Sequence, residues 1–192
     1  MKIPVVGFDP SLRHWGIAAS ELDLATGILS TPRLSLIEVV DESGKQVRKN
    51  SKDLHIAEQL ARSALAEARK AKAVFVEVPV GSQSARAMAS YGVCVGVLGA
   101  VRAEGIPLIE VSPTEVKIAF TGNRNATKRE MIEEGLRQYP NAEWPVYKQN
   151  GKGFKKGDLH PSCEHVADAI GTIYAGAITP MFQNLMRLFS EV

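Results

Sequence analysis

The sequence predicts an α/β fold, a mixed five-stranded sheet with helices on both faces. Three observations carry that expectation. Residues 2–10 (KIPVVGFDP) hold an apolar run from Ile3 to Phe8 that ends in Gly7-Phe8-Asp9-Pro10, the pattern of a buried strand delivering a carboxylate to its C-terminal edge. Open α/β sheets bind ligands at that edge. Two further strand-like segments follow after short turns, which implies an antiparallel meander. Beyond them, short apolar segments alternate with helical ones, as parallel strands do in α/β proteins.

After Asp9-Pro10, a common turn opener in its own right, come Ser11-Leu12-Arg13 and then a second strand over 14–22, with Gly16 where a backbone can approach closely. Thr26-Gly27 marks a turn, and 33–40 (RLSLIEVV) alternates apolar and polar residues as a half-buried strand does. Residues 41–51 are a polar, exposed connection. A helix is predicted over 53–71, where Leu54, Ala57, Leu60, Ala61, Ala64, Leu65 and Ala68 form a stripe at helical spacing. The run 73–78 (AVFVEV) is a buried parallel strand broken by one charge, Glu77, which is costly there without a partner unless it sits on an exposed edge. Helix 84–104 contains Gly92, Gly96 and Gly99. Each glycine costs roughly 1 kcal/mol against alanine in a helix interior, so three of them predict close backbone packing, against the sheet or between two helices. Strand 107–111 precedes a helix opened by Ser112-Pro113 as N-cap and first residue, running through Phe120. Thr127 caps the next helix, to Gln138, with Glu130 at the capping-box position. A helix over 162–177 shows an apolar face of Val166, Ala167, Ile170, Ile173 and Tyr174, and an amphipathic tail follows Pro180.

Residues 139–161 break the periodicity. They combine Lys148, Lys152, Lys155 and Lys156 with Trp144, Tyr147 and Phe154, a mixture that suits nucleic-acid backbones and bases or, more plainly, a solvated insertion. The chain has 192 residues, enough for one domain, 1–192, carrying this insertion. The net charge of +2 does not announce nucleic-acid binding, yet a basic stripe can coexist with an acidic pocket. Two distant cysteines, Cys94 and Cys163, sit in no metal-spaced motif and favour a reducing compartment. The longest apolar helical segment, 87–101, is shorter than the ~20 residues a bilayer requires. A cytoplasmic protein without membrane contact is expected.

The element order is that of the ribonuclease H-like fold. In that fold the first and fourth strands are neighbours, so Asp9 and Glu77 would meet at one sheet edge. The last helix would add His165 and Asp168, whose i, i+3 spacing puts them on one face, with Glu164 one turn from Asp168. Gathered carboxylates repel unless a cation joins them, and their oxygens suit Mg²⁺ or Mn²⁺. Two such ions ~3.5–4 Å apart would serve phosphodiester cleavage.

On these residues the chain resembles the RuvC-like Holliday junction resolvases over nearly its whole length. The resemblance rests on Gly7-Phe8-Asp9-Pro10-Ser11-Leu12-Arg13 with Gly16, on Val74-Phe75-Val76-Glu77, on Pro113-Thr114-Glu115-Val116-Lys117 with Gly122 and Lys128, and on His165-Val166-Ala167-Asp168-Ala169-Ile170. It implies a crossover junction endodeoxyribonuclease. Asp9, Glu77 and Asp168 would be metal-binding catalytic acids holding two Mg²⁺, with Mn²⁺ as a substitute, and His165 would occupy a position that is Asp in some relatives and His in others. It also implies Lys117 and Lys128 near the DNA backbone and a homodimer cutting two opposed strands. Arg13, Arg124, Arg129 and the four lysines of the insertion are expected to extend a basic rim for branched DNA. Two features depart from the family pattern. The stretch Val78-Pro79-Val80-Gly81 lacks the aromatic that wedges into the junction, with none until Tyr91, and the 139–161 insertion is long. They suggest a divergent member, bacterial or phage-encoded and then at work in the host cytoplasm. A flap- or fork-cutting nuclease is the close alternative. A sugar or acetate kinase relative lacks a phosphate loop here, and a catalytically dead junction binder would lack one of the acids.

Overall fold

The computed structural model describes residues 1–40, 48–79 and 81–190. Five strands form one sheet: β1 (Lys2–Asp9), β2 (His14–Asp23), β3 (Arg33–Glu38), β4 (Ala73–Glu77) and β5 (Leu108–Val111). Their order is β3-β2-β1-β4-β5. The first three make the expected antiparallel meander, and β4 runs parallel to β1 and β5 parallel to β4. The described residues also form six helices: α1 (Lys49–Ala68), α2 (Ala85–Ala103), α3 (Pro113–Thr121), α4 (Lys128–Gln138), α5 (Cys163–Ala177) and α6 (Pro180–Ser190). Among the described residues no helix is long and apolar enough to cross a membrane. The polar connection predicted over 41–51 lies outside the described residues through position 47, and its end belongs to α1, which begins at Lys49. Residue 80 of the wedge-less stretch is also outside them.

Period-two alternation sorts each strand between two cores. Val6, Phe8, Trp15, Ile17, Val74 and Val76 point to one face, where they pack with Leu60, Ala64 and Ala68 of α1 and with Cys94, Val97, Leu98 and Val101 of α2. Val5, Ala18, Leu22, Ala73, Phe75 and Ile109 point to the other, packing with Val116 and Phe120 of α3, Met131 of α4 and Val166, Ala167, Ile170 and Ile173 of α5. The helices thus cover both faces, as expected.

α5 is buried nearly all round, from Cys163 to Gly176, as a helix at the centre of a core must be. It lies unusually close to the sheet. A Cβ on Gly7 would come within 2.0 Å of the Ala169 carbonyl oxygen, and one on Gly16 within 2.1 Å of the His165 carbonyl oxygen. Only glycine permits those two approaches, so β1 and β2 carry it where the α5 backbone passes. On its outer side α5 meets α3 and α4. Both of those helices begin with a capping box, Ser112 with Glu115 and Thr127 with Glu130.

The 139–161 insertion is folded rather than structureless. The buried Trp144 indole N–H donates to the Tyr139 carbonyl at 3.0 Å. Val146 bridges to Leu159 and Gly151 to Phe154. Tyr147 and Phe154 stack with centroids 3.7 Å apart, and His160 meets the Tyr147 ring edge-on at 4.8 Å. The three aromatics that sequence offered as base-stacking platforms therefore hold the insertion together. The insertion packs beside β3, leaving a groove of about 600 Å³ lined by Leu36, Glu38, Tyr147, Lys148 and His160 among others.

Candidate active site

Asp9 and Glu77 share the α5 face of the sheet because alternation puts them there. Val5, Gly7 and Asp9 fall on one side of β1, and Ala73, Phe75 and Glu77 on the same side of β4. Phe8 pairs with Val76 in the parallel ladder, so the next residues on the two strands, Asp9 and Glu77, leave the sheet side by side. The close approach at Gly16 then brings the first turns of α5 over this edge. His165 Nδ1 lies 2.6 Å from Asp9 Oδ2. Asp168, one turn on, is near enough to feel the charges of Asp9, Glu77, His165 and Glu164. The four residues predicted for the site are thus brought together, all part-buried.

The electrostatics follow from that crowding. Burial, reinforced by the charge of Asp9, raises Glu77 to about 7, with Lys117 opposing. Burial and the neighbouring carboxylates raise Asp168 to about 7 as well, against a smaller pull from His165. For His165 burial works against the charged form. The hydrogen bond and charge of Asp9, with Glu164 and Asp168 behind them, outweigh it and raise the imidazole above its ordinary value. Cys94 of α2, under the same edge, is pushed up to about 11 by burial and by Asp9.

The donor set, three carboxylates and one imidazole, has the chemistry of a site for a hard divalent ion. Burial first and neighbouring carboxylates second disfavour charge on Glu77 and Asp168, and a divalent ion between them would offset both effects. Among the described residues no three His, Cys, Asp or Glu side chains form a ready-made ion cage, and His165 Nδ1 is engaged by Asp9.

Two lysines reach the site. Lys117 on α3 is half-buried and acts on Glu77. Lys128, the first residue of α4, has Nζ 2.8 Å from Glu164 Oε2. That pairing first, then the charges of Glu164, Asp168 and Asp9, raises its pKa. Arg13, Arg124 and Arg129 are exposed, with Arg129 paired to Glu133 at 2.7 Å. Lys148, Lys152, Lys155 and Lys156 are exposed along the insertion. Sequence reasoning missed His14, whose ring stacks on His165 with centroids 5.9 Å apart and planes 19° from parallel. The signal for it was its place as the first residue of the strand that follows the turn after Asp9.

No family model matches the chain. Over 137 residues it is 35% identical to the crossover junction endodeoxyribonuclease RuvC of Anaeromyxobacter dehalogenans (strain 2CP-C) and 34% identical to that of Anaeromyxobacter sp. (strain K). Each match covers 67% of this chain and 65% of the relative, so the chain spans just under two thirds of the length of the curated relatives it matches. A solved structure of T. thermophilus RuvC in complex with Holliday junction substrate superposes with a TM-score of 0.59 at 20% identity, covering 96% of both chains. A second Thermus thermophilus RuvC structure gives 0.56 at 19%, again over 96% of both. The sheet order β3-β2-β1-β4-β5 with helices on both faces is therefore the ribonuclease H-like fold that these solved structures share.

Proposed function

We propose that this chain is a metal-dependent, structure-selective DNA endonuclease that resolves Holliday junctions by paired phosphodiester cleavage. The observation that carries the reading is the convergence of Asp9, Glu77, His165 and Asp168 on one sheet edge beneath Lys117 and Lys128. Asp9, Glu77 and Asp168, with His165, would hold two Mg²⁺, or Mn²⁺ in their place. Such ions supply neutralising charge and water activation for phosphodiester hydrolysis. The chain's own residues do the rest. Asp9 orients the His165 ring through Nδ1, as a carboxylate behind a ligating imidazole does. Lys117 and Lys128 offer ammonium donors to the phosphate beside the acids. Arg13, Arg124, Arg129 and the insertion lysines Lys148, Lys152, Lys155 and Lys156 would track the backbone of branched DNA farther out, giving steeply salt-dependent binding.

Paired cleavage requires two sites, and a twofold dimer is the commonest way to supply them. The α2 face supports that assembly. Gly92, Gly96 and Gly99 have open space where a Cβ would stand, and Met88 and Val95 beside them are 47% and 46% exposed. Among the described residues the close packing predicted for these glycines is thus not made, and a second copy would make it.

The test is cleavage of matched four-way, three-way, flap and linear duplex substrates with Mg²⁺. Paired, symmetric nicks in the four-way junction and none in linear duplex are expected. Preferential single nicks in flaps or forks would assign the chain to that alternative activity instead.

A further inference from the structure

Lys128 is an odd residue to find at an active site. Its side chain is 76% exposed, and a free lysine so placed samples many rotamers. Its ammonium is nevertheless held 2.8 Å from Glu164 Oε2, while the Glu164 side chain is only 25% exposed. The other carboxylate oxygen, Oε1, lies 3.6 Å from His165 Nε2, outside hydrogen-bond range but within reach of its charge. Glu164 therefore touches the lysine at the mouth of the site and borders the imidazole that Asp9 holds from the other side.

Stability does not account for this pair. An ion pair with one member largely in solvent contributes little to stability. Yet adding a fourth carboxylate to a pocket that already holds Asp9, Glu77 and Asp168 increases the repulsion there. The contact also joins the first residue of α4 to the first turn of α5, fixing where the lysine head stands relative to Asp168.

We propose that Glu164 is a positioning residue: it holds the Lys128 ammonium over the acidic pocket so that the lysine meets the substrate phosphate in a reactive orientation. The inference rests on the nuclease reading above. Glu164 is not a metal ligand in this account, and it does not touch the substrate. Its effect passes through Lys128 alone. Prior orientation of a catalytic group contributes to rate rather than to affinity, so losing Glu164 should slow cutting without weakening binding. Binding should even tighten, because the released lysine is freer to pair with phosphate.

The experiment is a double-mutant cycle on the full chain, with Glu164→Gln, Lys128→Ala and both together, alongside Glu164→Asp. Two quantities are read: metal-free affinity for a four-way junction, and single-turnover cutting with Mg²⁺ at saturating protein. Glu164→Gln is expected to cut about tenfold more slowly while binding as tightly as the unaltered chain or more so, with its melting temperature unchanged. Glu164→Asp should recover part of the rate. In the Lys128→Ala background, Glu164→Gln should change neither quantity further. Rate losses that multiply in the double variant would overturn the inference. So would a higher Mg²⁺ requirement in Glu164→Gln regardless of residue 128, which would make Glu164 a ligand. If the unaltered chain cuts no branched DNA, the nuclease reading fails, and the affinity arm of the cycle still decides whether residues 164 and 128 act as a unit.

Discussion

On the α5 side of the sheet, Gly7 and Gly16 let a helix backbone pass where any Cβ would strike a carbonyl oxygen at 2.0–2.1 Å. On the outer face of α2, Gly92, Gly96 and Gly99 meet nothing within 4 Å among the described residues. The same residue type therefore builds the candidate site in one region and leaves a surface open in the other. The first set is committed to the chain's own fold, because α5 must lie this low for His165 and Asp168 to reach Asp9. The second is available to a partner.

Substitution separates the two regions most sharply. Gly16→Ala forces backbone against backbone, so it should cost about 3 kcal/mol or more, the upper end of overpacking. It should also displace His165 from Asp9. Chemical denaturation and junction cleavage measure the two losses. A near-normal Gly16→Ala protein would mean that α5 does not approach the sheet as described.

A smaller effect comes from pH. Glu77 and Asp168 titrate near 7 in the folded chain, against ordinary values of 4.5 and 3.8 in the unfolded one. Between those limits the folded state binds more protons, so stability falls as pH rises from about 4 through 7. His165 adds in the same direction: its pKa is raised, and the stability of its protonated form is lost as pH climbs through the folded value. The metal-free melting temperature should therefore drop across this window. Mg²⁺ should restore it more at pH 8 than at pH 5. A flat profile that Mg²⁺ does not touch would remove the uncompensated carboxylates from the account.

The smallest effect on the folded monomer belongs to α2. Gly96→Ala adds a methyl in open space and improves helix propensity by up to about 1 kcal/mol, so monomer stability should hold or rise slightly. If this face joins two copies, the added methyl should weaken the dimer, which light scattering would detect. An unchanged dimer would move the interface elsewhere.

How much of this was legible in the sequence differs by region for physical reasons. Local chemistry announced β1 and its terminal Asp9, the Ser112 and Thr127 caps and the apolar faces of α1 and α5, and the element order, which makes the first and fourth strands neighbours, placed Glu77 beside Asp9. The glycines on α2 were legible as unusual, but their surroundings depend on what packs against them, which spacing does not encode. The insertion misled in another way. Trp144, Tyr147 and Phe154 interleave with lysines like a nucleic-acid surface, but their contacts are to Tyr139, to each other and to His160, through turns that no periodicity reveals. The Glu164–Lys128 pair joins two helix starts far apart in the chain, so only the tertiary structure could show it.

The central claim is that the acids gathered under α5 do the cutting while the surrounding cations do the binding. Asp168→Asn tests it most directly, since asparagine keeps the shape and one acceptor oxygen but removes the charge. Junction affinity without metal should persist or improve, and cleavage in Mg²⁺ should fall by more than about a hundredfold, a loss at least as large as those that follow disturbance of a ligand's supporting contacts. Mn²⁺, with His165 still able to coordinate, should recover part of the activity. Near-normal cutting by the Asp168→Asn protein would contradict the assignment of this site.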